Sequence, residues 1–425
     1  MDRLRTLGAL VGGSLLISII YGVTLDNSEP AIDFDMTETE GNQLVVTGDR
    51  GAFSLRRDDL RMEAFWRGSF MLNETADDIK SLDHKLAIIR EKDGLSEKAV
   101  FVPDGGDVKK FYYIGEDEQE NGPETDASIS ELLTSFLSAS GVRAEERVAA
   151  LLEKGGVSEV LSIFDTLYGD HTRERYSTEL LKQADLNQEE LHALLDALSS
   201  IDSDSTLRTI LGEILIKETI RAEDIPHFLK TASNIDSDYD MRRLIETVGE
   251  HSMNADAIDL SLELIETIDS NHDLRLAGEV ILAHPEASPK NIAELLLIAR
   301  DQMDSAHDLR LLLVDAAPLL SGNDKVADAW LGAFAEIDSD HDKRLALADA
   351  ADEDLPPEIT RALIDATNEI DSDHDRRLAL ENFASDARNM PMLTEAYKAA
   401  AAGISSDYDR RRALESIGVE TDIDD

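Results

Sequence analysis

The chain has 425 residues, 89 of them acidic and 41 basic, giving a formal charge of −48. That balance excludes a nucleic-acid binder, which needs a basic patch to neutralise phosphates, and it excludes resting on an anionic membrane surface. The absence of cysteine excludes disulfides, thiolate zinc sites and a cysteine nucleophile, while 42% apolar but only 5% aromatic residues suit helices packed through Ala, Leu and Ile.

Arg3 and Arg5 precede an uncharged run over residues 6–25, which Asp26 and Glu29 follow. About twenty such residues span ~30 Å of hydrocarbon as a helix, and positive charge ahead of the run directs the rest of the chain out of the cytoplasm. Residues 1–25 are therefore expected to be a hydrophobic helix, acting as a membrane anchor or a cleaved signal peptide. The lack of an Ala-x-Ala-like site leans toward the anchor. The expected location is extracytoplasmic (periplasmic), membrane-anchored or secreted, with membrane contact through this segment alone.

Residues 26–41 read as an acidic linker. Residues 42–122 read as a small antiparallel β module. Short segments rich in Val, Ile, Phe and Tyr at 43–47, 60–66, 69–72, 85–90, 98–102 and 110–114 alternate with turn signals such as Asp93-Gly94 and Gly105-Gly106. Pro123 marks a change to helical patterning, which holds over 123–425 and ends in an acidic tail at 421–425.

The helical part repeats. Ile201-Asp202-Ser203-Asp204 returns as Ile235-Asp236-Ser237-Asp238 and, with small changes, at Ser270, Ser305, Ser339, Ser372 and Ser406. Successive serines lie 34, 33, 35, 34, 33 and 34 residues apart. A period of 33–35 residues accommodates two helices and two turns. The pattern predicts a mainly α chain, an α-solenoid of about eight helical hairpins behind the β module. Each serine is expected to cap the first helix of its repeat by accepting the amide three residues on. An Asp at that third position (Asp240, Asp273, Asp308, Asp342, Asp375, Asp409) should reach back to the serine amide as a capping box. Asp238, Asp340, Asp373 and Asp407 fall in the first turn, where the helix dipole favours them, each four residues before an Arg. That Arg recurs as Arg208, Arg242, Arg275, Arg310, Arg344, Arg377 and Arg411. It persists where Asn271 or Ala306 replaces the local acid, which points to a contact with the neighbouring repeat. Second helices carry start signals of their own: Asn187 with Glu190, Ser288-Pro289 and Pro356-Pro357.

No catalytic, cofactor or metal site emerges. Asp338/Asp340/Asp342 and the equivalent trios have the first spacings of a calcium loop. Lys343, Met241 or Arg376 stands where the loop needs Gly, and Asp349, Thr247 or Asn382 where it needs a bidentate Glu. His272, His307, His341 and His374 occur once per repeat. Helices pack about 8–10 Å apart, too far for neighbouring rings to share a zinc ion at its ~2.0–2.1 Å bond length. No His-Glu-x-x-His, Gly-x-Ser-x-Gly or phosphate-loop motif is present.

Trp66-Arg67-Gly68-Ser69-Phe70, Asp77-Asp78-Ile79-Lys80-Ser81-Leu82, Phe111-Tyr112-Tyr113-Ile114-Gly115, Gly122-Pro123-Glu124-Thr125-Asp126 and the Ser-Asp-Tyr/His-Asp-x-Arg repeat give the chain its resemblance. It is similar to bacterial extracytoplasmic helical-repeat proteins, and to regions that accompany membrane metallopeptidases of the antibiotic-sensing antirepressor type. In size the repeats resemble HEAT and tetratricopeptide units, without the Trp-x-x-Leu-Gly-x-x-Tyr pattern of the latter. No peptidase motif is present, so the resemblance implies no protease activity. The expected function is an envelope scaffold for an unidentified protein or peptide, a basic one being favoured by the charge. The alternative is a regulatory or sensory protein of an envelope signalling system; an enzyme is not expected.

Overall fold

A strand sends successive side chains to opposite faces, and between residues 41 and 118 the chain is built of strands joined by turns. The computed structural model describes residues 41–47, 49–57, 60–217, 221–251 and 255–419. The expected N-terminal hydrophobic helix, nearly all of the acidic linker and the acidic tail lie outside them. Among the described residues no helix is long and apolar enough to cross a membrane.

Among the described residues nine strands form: β1 (Gly41–Thr47), β2 (Arg50–Arg57), β3 (Leu60–Arg67), β4 (Phe70–Leu72), β5 (Ile79–Leu82), β6 (Lys85–Lys92), β7 (Leu95–Asp104), β8 (Asp107–Ile114) and β9 (Asp117–Glu118). Seven make one antiparallel sheet in the order β1-β2-β3-β6-β7-β8-β9, and β4 pairs with β5 as a separate hairpin. Register places Phe53, Ala64, Ile88, Ala99 and Tyr112 in one row across the sheet. The period of two then sends Leu86 and Ile88 to one face and Ala87 and Ile89 to the other.

The first face is covered by α1 (Pro123–Ser140), whose Ile129, Leu132, Leu133, Phe136 and Leu137 join Phe53, Met62, Leu86 and Phe101 in a single core. Phe136 meets Phe53 edge-on at 5.7 Å and lies 6.0 Å from Trp66. A polar tie reinforces this packing. Arg90 on β6 donates to Glu97 at 2.9 and 2.7 Å and to Glu131 on α1 at 2.9 Å, while the Tyr112 hydroxyl donates to the other Glu97 oxygen. Burial, then the Glu97 carboxylate, pushes the Tyr112 phenol up to about 12.

Gly141 ends α1 with φ of 64°, a conformation that costs glycine little. The chain then enters α2 (Ala144–Leu161, broken at Gly155 and Gly156), α3 (Asp170–Gln183) and α4 (Gln188–Leu198). Buried Arg147 of α2 donates to Ser138 Oγ of α1 at 2.8 Å and to the Tyr176 hydroxyl of α3 at 3.0 Å. Helices from Pro123 to Ala197 therefore gather with the sheet in one compact unit, and the second unit begins at Leu198.

That second unit contains α5 (Asp204–Lys217), α6 (Ile225–Ala232), α7 (Asp238–His251), α8 (Ala255–Ile265), α9 (Asn271–Ala283), α10 (Pro289–Gln302) and α11 (Ala306–Ala316). It continues with α12 (Asp324–Ala335), α13 (Asp340–Ala351), α14 (Pro357–Ala366), α15 (Asp373–Asn382), α16 (Ala384–Asn389), α17 (Pro391–Ala402) and α18 (Asp407–Ser416). The helices that follow the recurring serines, α5, α7, α9, α11, α13, α15 and α18, pack each on the next. The helices between them, α6, α8, α10, α12, α14 and α17, make a second such row. Their stripes close the core: Leu244, Ile245 and Val248 in one repeat, Leu312, Leu313 and Ala316 in another, and Ala379, Leu380 and Phe383 in a third are all buried. So is the Ile or Met that opens each motif, from Ile201 to Ile404. The chain is thus mainly α, with an antiparallel sheet at the N-terminal end of the described residues.

Phe136 is fully buried between helix and sheet, so Phe136→Ala should cost about 3–5 kcal/mol through lost transfer energy and a residual cavity. Urea unfolding followed by Trp66 emission checks this; a loss under about 1 kcal/mol would mean that α1 does not seal the sheet.

Candidate functional site

Every helix exposes orphan amides at its first turn, and the recurring motif meets that need partly across repeats. Ser237, Ser270, Ser305, Ser339, Ser372 and Ser406 each accept, at 3.2–3.3 Å, the amide of the Asp three residues on. Ser203 accepts from Thr206 at 3.4 Å. Five of these helices begin on a serine in extended conformation at φ between −93° and −68°, at Ser270, Ser305, Ser339, Ser372 and Ser406.

The expected return bond from the Asp carboxylate to the serine amide is not what the structure places there. The third-position Asp instead accepts the recurring Arg of the preceding repeat. Arg208 Nε donates to Asp240 at 2.8 Å, Arg242 to Asp273 at 2.7 Å and Arg275 to Asp308 at 3.2 Å. Arg310 reaches Asp342 at 2.9 Å, Arg344 reaches Asp375 at 3.0 Å and Arg377 reaches Asp409 at 2.8 Å. At three junctions the serine amide goes to the first-turn acid of the preceding repeat. Asp238 accepts Ser270 N at 2.8 Å and Asp269 N at 3.2 Å; Asp340 accepts Ser372 N at 2.8 Å and Asp371 N at 3.1 Å; Asp373 accepts Ser406 N at 2.8 Å and Ser405 N at 2.9 Å. The expected Asp-to-Arg pairing four residues apart gives way to this arrangement for Asp238, Asp340 and Asp373. Their arginines turn forward, and Arg242, Arg275 and Arg377 also pair with Glu246, Glu279 and Glu381. Arg411 lies 3.7 Å from Glu415 of its own helix.

Reciprocal capping boxes do form on second helices. Ser288 and Asn291 exchange bonds at 3.3 and 3.1 Å, as do Asn187 and Glu190 at 3.1 and 2.9 Å.

One feature escaped the sequence reading. The position after the third Asp, apolar in Leu207, Met241, Leu274 and Leu309, becomes cationic in the last three copies. Lys343 Nζ donates to Glu369 O at 3.1 Å, Arg376 to Ala400 O at 2.8 Å and Arg410 to Ile404 O at 3.0 Å. These cations stop orphan carbonyls where a second helix ends. Only the loss of an apolar residue from an otherwise apolar register could have signalled this. The ring that recurs on the second residue of the first helix, once per repeat in the sequence, is exposed at Tyr239, His272, His307, His341, His374 and Tyr408; the Ser203 copy has Ser205 there. Arg344 approaches His341 Nδ1 at 3.0 Å, and Arg275, Arg310 and Arg377 approach the equivalent atoms of His272, His307 and His374 at 3.3–3.4 Å. A guanidinium only donates, so Nδ1 accepts, and the neutral ring carries its proton on Nε2. Arg242 lies 5.0 Å over the Tyr239 ring.

Among the described residues no group of three or more His, Asp or Glu is placed to hold a metal ion. No family model, curated protein or solved structure matches the chain.

Asn271 supplies a single bond, to Ser305 N at 3.2 Å, and Ala306 has no side-chain acceptor for the Asp338 and Ser339 amides. Ala306→Asp should therefore strengthen that junction by about 0.5–1.5 kcal/mol, read as a higher melting temperature; no gain would show that the cross-repeat cap contributes nothing.

Acid should weaken the ladder. The Ser406 hydroxyl and then the Arg377 guanidinium hold the Asp409 carboxyl below its usual value. At Asp342 burial acts upward, but Ser339 and Arg310 outweigh it and leave the carboxyl depressed. A depressed carboxyl stabilises the fold fully above its unfolded value near 3.9, and that stability is lost as pH falls through the folded value. Melting temperature should fall as pH drops below about 4, and Asp342→Asn with Asp409→Asn should lower stability at neutral pH while flattening the acid limb. An unchanged acid limb in the double variant would remove these two groups as its cause.

Proposed function

We propose that the helical array is a solenoid that serves as a protein- or peptide-binding scaffold of the cell envelope, with the ring row as its contact edge. The observation that carries this reading is the repetition of a ring that the recurring arginine touches on one side only and that otherwise stays exposed. Ser, Asp and Arg of the motif are occupied between repeats, yet Tyr239 is 56% exposed, Tyr408 60% and the His272 side chain 64%. Each histidine already accepts on Nδ1, so its Nε2–H remains for an external acceptor, and each tyrosine brings a hydroxyl. Repeat arrays of this kind touch only their neighbours and so present long surfaces of equivalent positions. A row of ring donors at repeat spacing suits backbone carbonyls of an extended segment. The abundant acids on the same array favour a basic partner and faster association at low salt. The envelope location and the about eight hairpins belong to this proposal, resting on the N-terminal charge pattern and the 33–35-residue period.

Photo-crosslinking in the native envelope tests it. A photoreactive residue at His307, His341 or His374 should yield discrete partner adducts that weaken as salt rises, while the same residue at exposed Asp328 of α12 should not. Adducts at Asp328 equal to those at His341, or none at any ring position, would overturn the ring row as the contact edge.

A further inference from the structure

The N-terminal unit holds a cavity of about 790 Å³ that the ring row does not use. Its size falls in the range of ligand sites, about 300–1,000 Å³. One wall is apolar: Leu44 and Val46 of β1, Trp66 of β3, Phe70 of β4 and Val142. Trp66 is held in place from behind, since a Cβ at Gly51 would overlap its indole. In front, the Phe70 ring meets it edge-on at 6.2 Å. The indole is half-buried, so part of it faces the cavity.

The opposite wall comes from the start of α2 and one face of α3, and it is built under strain. Arg143 sits at φ 60°, ψ 29°, a left-handed conformation that a non-glycine residue adopts at a cost of roughly 1–3 kcal/mol. Its guanidinium lies 5.8 Å over the Phe70 ring and pairs with Glu146, whose second oxygen accepts Leu72 N at 2.9 Å. Its Nε is buried without a hydrogen-bond partner among the described residues, and burial lowers its pKa. Strain and an orphan donor at one residue mark a place where packing alone does not explain the choice of side chain.

Charge selects the ligand. Six carboxylates line the cavity, Asp49, Asp83, Glu145, Glu146, Glu174 and Glu179, against three permanent cations, Arg143, Arg175 and Lys182, and His171. Internal partners take up some of these charges: Arg143 pairs with Glu146 and Lys182 with Glu179 at 2.9 Å. Among the described residues Glu174 pairs with His171 alone, at 3.5 Å, an ion pair that exists when the imidazole is protonated, and the Glu145 side chain is exposed at the rim. The cavity therefore joins an aromatic floor to a rim with excess negative charge.

We propose that this cavity binds a basic polypeptide segment carrying an apolar side chain. The apolar group lies against Trp66 and Phe70, and the flanking Lys or Arg residues meet Glu145 and Glu174. An acidic or purely apolar ligand would leave the rim carboxylates unpaired, and a purely basic one would leave the indole wet. The site is independent of the ring row: it lies wholly within the N-terminal unit and involves none of the repeat motifs.

The chain carries two tryptophans, and Trp330 is fully buried, so emission changes report on Trp66. The full chain is titrated with the tryptophan-free peptide acetyl-Lys-Leu-Lys-Phe-Lys-amide, with pentalysine, and with acetyl-Glu-Leu-Glu-Phe-Glu-amide. The first should give a saturable shift in emission that Trp66→Phe abolishes; pentalysine should bind about tenfold more weakly, and the acidic peptide should give no shift. Glu145→Lys with Glu174→Lys should weaken the first peptide about tenfold, whereas Asp304→Lys with Asp338→Lys, an equal charge change in the helical array, should leave it unaltered. Equal binding of pentalysine, an equal effect of the two charge reversals, or no saturable shift would each overturn the proposal.

Discussion

The arginine–aspartate pair between successive repeats is the constraint on which the helical array depends. One guanidinium leaves its own helix, crosses to the next, and meets a carboxylate whose own amide is already held by the capping serine. The partners are shielded: Arg377 and Asp409 side chains are 10% and 13% exposed, Arg310 and Asp342 13% and 17%. A pair at that depth approaches the ~1.5–3 kcal/mol of a hydrogen bond to a charged group; a fully exposed helix pair contributes ~0.2–0.5 kcal/mol. The first-turn acid runs in the same sense, from Asp340 to the Asp371 and Ser372 amides. Both links thus fix where the next helix begins, and apolar stripes such as Leu312, Leu313 and Ala316 are brought into register as a consequence.

Much of this was legible in the sequence, and the parts that were not share one physical cause. The repeat, the capping serines and the apolar stripes follow from local spacing, which the chain alone fixes. The destination of the carboxylates does not. A helix rule pairs Asp238 with Arg242 because they lie four residues apart, but the next repeat brings Asp273 to Arg242 from 31 residues away. The clue was the arginine that persists beside Asn271 and Ala306, where no local acid stands. Among the strands, β2, β5 and β9 went unread. Arg50–Arg57 contains no Val, Ile or Thr; it is a strand because β1 and β3 pair with it on both sides. The cavity was illegible for the same reason: its walls come from positions as far apart as Leu44, Trp66, Arg143 and Glu174.

Acid excess in this chain has a structural component that needs no partner. The first six motifs, counted from the residue before the serine, carry more Asp than Arg or Lys and add net negative charge, whereas the last, with Asp407 and Asp409 against Arg410, Arg411 and Arg412, does not. The imbalance is tolerated because backbone amides satisfy the surplus: Asp238, Asp340 and Asp373 are each held by two N–H groups rather than by a cation. The positive ends of the helix dipoles favour the same placement. Part of the formal charge of −48 is thus the cost of building helix starts from carboxylates. What remains available for recognition is the acid outside these bonds, such as Asp304 and Asp338 beside the ring row and Glu145 and Glu174 at the cavity rim. Screening follows from that division. Salt should weaken the proposed encounters steered by the exposed acids, while the half-buried junctions between repeats hold.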